Sequence, residues 1–419
     1  MSISNSIQSH VNDETRIDRV FAREIFDSRG KPTVEVEVTC SGGQTGRAMA
    51  PSGASKGHFE ALELRDGDLS RLGGAGVLRA VESVNTTIAR ALVGLDAAAQ
   101  SVVDQRLIEL DGTSNCSRLG ANAMVAVSLA MAHAAAKNRR VDLVDQLHEL
   151  WLHSSSPSSS SPRSNRVPEP AARENARENA REKPSADGRT ARLGQSLILP
   201  LPMVNMISGG LHAGRNLDFQ DFLILPVGAA AFRQALEWIV TIYHRLGELL
   251  REQKLEGSLV GDEGGYGPRL ESNEQAVELL MKAIELCGFV PGRDVAIGLD
   301  VASSHLVHQQ GYRLEHGNPR GNLTAHEMVD LFDKWATTYP IISIEDPLAD
   351  HDAPGWLEAT KRLKDRVQLI GDDLFVTNPQ RFQRLSAEGM ANSMLIKVNQ
   401  IETLSQTFET MQLALEAEY

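Results

Sequence analysis

Cysteine is scarce in this chain, with three in 419 residues at Cys40, Cys116 and Cys287. They lie far apart, are odd in number and form no CxxC pair. That argues against a disulfide framework or a thiolate zinc site and fits a reducing compartment. Long apolar runs are missing too. None approaches the roughly 18 to 20 residues that a membrane span needs. The first residues, MSISNSIQSHVNDETR, lack the apolar core of a signal peptide and read as a disordered lead-in over 1–16. Positive charge is in deficit: 42 Lys and Arg stand against 55 Asp and Glu, a net charge of -13. This argues against non-specific nucleic-acid binding. An anionic substrate stays open, because a divalent metal inverts the local field.

The remaining composition is that of a globular protein, 42% hydrophobic and 23% charged. The length exceeds what one compact core serves and points to two domains. The first is expected over 17–152. Val34, Val36 and Val38 alternate with Glu35 and Glu37, a half-buried strand, and Ser41-Gly42-Gly43 turns it into a hairpin. Val77, Val81, Val84, Ile88 and Leu92 follow at helical spacing. A mostly alanine helix, about Asn122 to Lys137, is apolar all round and should be buried. Residues 153–195 are of low complexity, with a serine run and two Ala-Arg-Glu-Asn repeats from Ala172, and read as a surface insertion or linker.

From 196 to 419 apolar runs alternate with amphipathic helices, the signature of a parallel α/β sheet or barrel. Strands are expected over Phe222–Pro226, Val295–Asp300, Ile341–Asp346, Val367–Asp372 and Met394–Val398. Thr324 to Glu327 forms a capping box, and Asn378 before Pro379 starts another helix.

Asp300, Glu345, Asp372 and Lys397 close four successive strand candidates. In a (β/α)₈ barrel those ends surround one mouth, where active sites sit. Three convergent carboxylates repel one another unless a hard cation relieves them, and oxygen donors of this kind suit Mg²⁺. The plainer alternative, acids capping the next helix, is common for one position but strained for three in register. Lys397 lies between Ile396 and Val398, which disfavours an exposed position. Three loops add to the set: the small-residue loop Pro51–Gly57, the glycine-flanked His212, and Asp262-Glu263 beside paired glycines.

The segments AREIFDSRGKPTVEVEV, PSGASKG with EALELRDGD, LDGTSNCSRLGANA, GGLHAG, GDEGGYGP, SIEDPL, GDDLFVTNP and LIKVNQI together resemble enolases, in the same order along the chain. The resemblance covers nearly all of 17–419 outside the insertion. It implies an α/β fold: an N-terminal α+β capping domain followed by an incomplete β/α barrel. It implies a phosphopyruvate hydratase that interconverts 2-phosphoglycerate and phosphoenolpyruvate in the cytoplasm, with family members also found at the cell surface. Asp300, Glu345 and Asp372 resemble the Mg²⁺ ligands, and Ser55 the lid residue that meets a second Mg²⁺. Lys397 resembles the base, Glu263 the acid, and His212, Gln220 and Asp221 substrate-pocket positions. A homo-oligomer, dimer or larger, is implied, with no nucleic acid and no membrane span.

The sequence departs from the family pattern in three places. Asp221 stands where the family has glutamate, which shortens the carboxylate by about 1.5 Å. Shifts near 1 Å can cost on the order of 10²-fold in rate. Lys56 follows Ser55 where a small residue is usual. The chain ends at Tyr419, before the segment in which the family carries a His-Arg-Ser contact and a second lysine. The resemblance therefore assigns no residue to those roles, and a C-terminally truncated barrel is expected. These departures leave room for a second reading, a catalytically impaired enolase paralogue with a binding or scaffold role.

Overall fold

The computed structural model describes residues 13–53, 57–154, 198–309, 311–317 and 321–419. Most of the 153–195 insertion and the lid residues 54–56, Ser55 and Lys56 among them, lie outside the described residues.

The first half begins with an antiparallel sheet, β1 (Ile17–Phe26), β2 (Pro32–Cys40) and β3 (Thr45–Met49). Asp27 shapes the first turn: its Oδ1 accepts from the backbone N–H groups of Arg29 and Lys31, at 2.9 and 2.8 Å. Val34, Val36 and Val38 are fully buried on one face, as their alternation predicts. On the other face Glu35 is also covered, by Arg23 at 2.5 Å and Arg47 at 3.7 Å. The helix Ala121–Arg139 packs on this sheet and is buried on nearly every side. Its alanines let it approach closely. The expected helix over 77–92 forms with a π turn at Val84–Ile88.

The second half is one six-stranded curved sheet with helices outside it. The strands are β4 (Val204–Ser208), β5 (Asp221–Leu225), β6 (Ala296–Asp300), β10 (Ile341–Glu345), β11 (Gln368–Gly371) and β12 (Ser393–Met394). They lie in the order β12-β11-β10-β6-β5-β4. A small separate sheet is formed by β7 (Val307–His308), β8 (Gly311–Arg313) and β9 (Asn322–Leu323). The capping box at Thr324 and the Asn378 cap both form.

Two strand expectations need correction. β5 is not parallel: it runs antiparallel to both β4 and β6, with Asp221 opposite Asp300. A loop returns the chain directly from β4 to β5, and a parallel pairing needs a helical crossover. The helices Phe232–Glu252 and Asn273–Leu286 both fall after β5, before β6. The last strand is shorter than Met394–Val398. It pairs only at Ser393 and Met394, and Lys397 lies beyond it, leading into a 3₁₀ turn at Val398–Gln400.

The halves are joined by specific bonds. Ala61 N–H donates to the Gln400 carbonyl at 3.0 Å. Leu404 N–H donates to the Ser128 hydroxyl at 3.0 Å. No described helix is long and apolar enough to cross a membrane.

Candidate active site

Reversal of β5 decides what the mouth contains. Its first residue, not its last, lies at the C-terminal ends of β6 and β10. Gln220 and Asp221 therefore meet Asp300, which ends β6, and Glu345, which ends β10. Loops from the first half close over this end. Together they line a cavity of about 440 Å³ whose walls include Arg29, Glu60, His212, Glu263, Asp300 and Lys397.

Lys397 donates from Nζ to Asp372 Oδ2 at 2.5 Å, and Gln400 Nε2 donates to Asp372 Oδ1 at 2.6 Å. Gln220 Nε2 donates to Asp300 Oδ2 at 3.0 Å. Asp346 accepts from the backbone N–H groups of Asp372 and Asp373, at 3.0 and 2.7 Å. That ties the end of β11 to the end of β10. Oxygens of Asp346, Asp372 and Asp373 all come within 4.8 Å of one another. That trio could hold one cation, and it shares only Asp372 with the Asp300, Glu345 and Asp372 set expected from the sequence.

Burial and mutual repulsion push Asp300, Glu345, Asp346 and Asp373 up. Asp300 and Glu345 rise well above the ordinary carboxylate range, first through burial, then through each other's neighbours Asp221, Asp300 and Asp372. Asp373 is pushed up to about 7 by burial and by Asp372. Lys397 responds in the opposite sense. Burial alone would lower it, but Asp372, then Glu345 and Asp300, outweigh that and hold the ammonium protonated above the ordinary lysine value. A buried group of hard oxygens short of positive charge is the donor set that Mg²⁺ takes. The residues present therefore fit the ion.

In the same cavity His212 Nδ1 meets Asp221 Oδ2 at 2.7 Å, and its Nε2 lies 3.9 Å from Glu263 Oε1. Asn205 donates to the other oxygen of Asp221. The Asp221 side chain is 3% exposed, so both its oxygens are engaged within the wall. Burial raises Asp221, and His212 only partly offsets this. Burial would lower His212, but the bond and charge of Asp221, then Glu263 and Asp300, raise it.

Of the residues expected from sequence, Lys397, Glu263, His212, Gln220, Asp221, Asp300 and Glu345 line this one cavity, and Asp372 joins it through Lys397. Ser55 lies outside the described residues. Lys397 is half-buried rather than enclosed, with a side chain 39% exposed. Sequence reasoning passed over Arg29, Glu60, Asp346 and Asp373. Arg29 donates to the Ser52 carbonyl and lies 3.6 Å from Asp262. Glu60 accepts from Gly57 N–H at 3.1 Å and Gln400 Nε2 at 3.2 Å, which fixes the end of the lid segment. The paired acids Glu345-Asp346 and Asp372-Asp373 were the available signal for two of these.

An α+β cap on a barrel-type sheet, with acids and a lysine gathered at the mouth, places the chain among α/β barrel proteins whose site lies at the C-terminal ends of the strands. Comparison with known families is more specific. Residues 17–147 match the enolase N-terminal domain, and residues 196–419 match the enolase C-terminal TIM barrel domain. The chain belongs to the enolase family.

Proposed function

We propose that this chain is a Mg²⁺-dependent phosphopyruvate hydratase, which interconverts 2-phosphoglycerate and phosphoenolpyruvate in cytoplasmic glycolysis. The observation that carries the reading is that Lys397, bonded to Asp372, lines one cavity together with Glu263 and His212. A proton beside a carboxylate is weakly acidic, because its loss adds charge to an existing anion. Reaction needs a base on one face, an acid on the other and positive charge at the carboxylate.

Asp300, Glu345 and Asp372 would hold Mg²⁺. When bound, the ion supplies charge that offsets the developing dianion and cancels the carboxylates' pull on Lys397. Lys397 removes the proton at C2 of 2-phosphoglycerate and, in the reverse direction, returns it. Glu263 delivers a proton to the departing 3-hydroxyl. His212 and Gln220 orient the substrate, and the Asp221 bond fixes which His212 nitrogen faces it. The loops from the first half limit water at the mouth. A homo-oligomer, dimer or larger, forms part of the same reading.

One observation favours the alternative of a catalytically impaired paralogue. Asp221 is spent on Asn205 and His212 in the wall. The test is phosphoenolpyruvate absorbance on adding 2-phosphoglycerate and Mg²⁺ to the purified chain. Turnover that falls on the order of 10²- to 10⁴-fold in Lys397→Ala supports the hydratase. Folded wild-type protein without turnover rejects it. A Mg²⁺-dependent rise in thermal stability that persists in Asp300→Asn rejects the ligand assignment.

A further inference from the structure

Behind the loop that carries His212 lies a second, smaller cavity of about 220 Å³. It shares no lining residue with the catalytic cavity. In a chain with a net charge of -13, its wall is unusually rich in nitrogen donors: Arg215, His305, His308, Arg313 and His316.

The acids that line it are already committed. Asp218 accepts from the backbone N–H groups of Glu315 and His316, at 2.8 and 2.9 Å, and from Asn273 Nδ2 at 2.8 Å. Glu315 lies 3.2 Å from Arg313. Arg215 makes no side-chain hydrogen bond or ion pair among the described residues. His305, on the 3₁₀ turn Ser303–Leu306 just after β6, has a buried Nε2 without a hydrogen-bond partner. Burial, then the charge of Arg215, pulls its imidazole below the ordinary histidine value. An uncompensated guanidinium therefore stands beside an orphaned ring nitrogen in a concave site.

We propose that this cavity is a binding site for a small phosphate-type oxyanion, held by Arg215 and His305. Guanidinium offers a fork of donors matched to phosphate oxygens. A protonated or correctly tautomeric His305 adds a donor from Nε2. Drug-sized ligands occupy roughly 300 to 1,000 Å³, so the smaller volume selects an ion or a compact phosphate monoester over a nucleotide.

The test uses the full chain and inorganic phosphate, followed by titration calorimetry. Arg215 sits at φ +62°, a backbone that asparagine accepts, so Arg215→Asn removes the charge without strain. The expected result is binding that weakens at least about tenfold in Arg215→Asn and in His305→Ala. It is largely kept in Arg215→Lys, and Lys397→Met leaves it unchanged. Three results overturn the site: no phosphate binding by the wild type, wild-type affinity in both cavity variants, or binding lost in Lys397→Met. The last would place the anion in the catalytic cavity. None of these bears on hydratase turnover, which is read separately.

Discussion

The Asp221–His212 pair shows how a buried side chain sets the state of its neighbour. Burial favours neutral imidazole, yet Asp221 at 2.7 Å more than reverses this. Removing that charge while keeping the shape isolates the effect. Asp221→Asn keeps an oxygen for His212 Nδ1 and loses the anion, so His212 should titrate at a lower pH than in the wild type. NMR of the imidazole resonances across the acidic and neutral range measures this. An unchanged or higher midpoint would show that Glu263 and Asp300 alone hold the proton. The sequence displayed Asp221 as a shortened acid but not its partners. Asn205 lies on β4, and only the antiparallel return brings the two together.

Among the elements, the sheet and helix of the first half meet closely at Gly46. A Cβ on Gly46 of β3 would lie 2.2 Å from both Ala130 O and Ala134 N. Both are backbone atoms of Ala121–Arg139, so no rotamer change relieves the clash. Gly46→Ala should therefore cost about 3 kcal/mol of stability, read by chemical denaturation. A loss near zero would mean the helix sits higher on the sheet. Features legible in the sequence were those set within a few residues. The Thr324 capping box, the Asn378–Pro379 start and the all-round apolar helix depend on local geometry and composition. Strand direction was not legible at β5, because an apolar run of five reads alike in either sense. The short β12 misled in a related way: Leu395 and Ile396 are apolar without being in a strand. The acid-lysine set survived both errors, since Asp300 and Glu345 end their strands and Asp372 and Lys397 follow theirs closely.

At the scale of the whole molecule, the cap and the barrel are held in register by a buried acid that does not line the cavity. Asp104, on the helix Gln100–Asp111, is fully buried. Its Oδ2 accepts from Ser405 N–H at 3.0 Å and Ser405 Oγ at 2.6 Å, at the start of Leu404–Glu416. Its Oδ1 accepts from Gln100 Nε2 at 3.0 Å. Burial raises this carboxyl above its ordinary value and outweighs the bonds from Ser405, Ser128 and Gln100. A raised carboxyl binds its proton more tightly in the folded than in the unfolded chain. Its contribution to stability is then complete below the ordinary carboxylate value and is lost as pH rises through the folded value. Asp104→Asn carries no such titration but shares every other carboxylate. Wild type should therefore lose stability relative to Asp104→Asn as pH rises above the ordinary carboxylate range and through the raised folded value, whatever the sign of the gap at either end. Paired denaturant melts at several pH values measure the difference directly. A gap that stays flat, or moves in favour of wild type with rising pH, would mean that Asp104 is ionised at no cost and that its bonds to Ser405 and Gln100 fully replace water at the joint between the two halves.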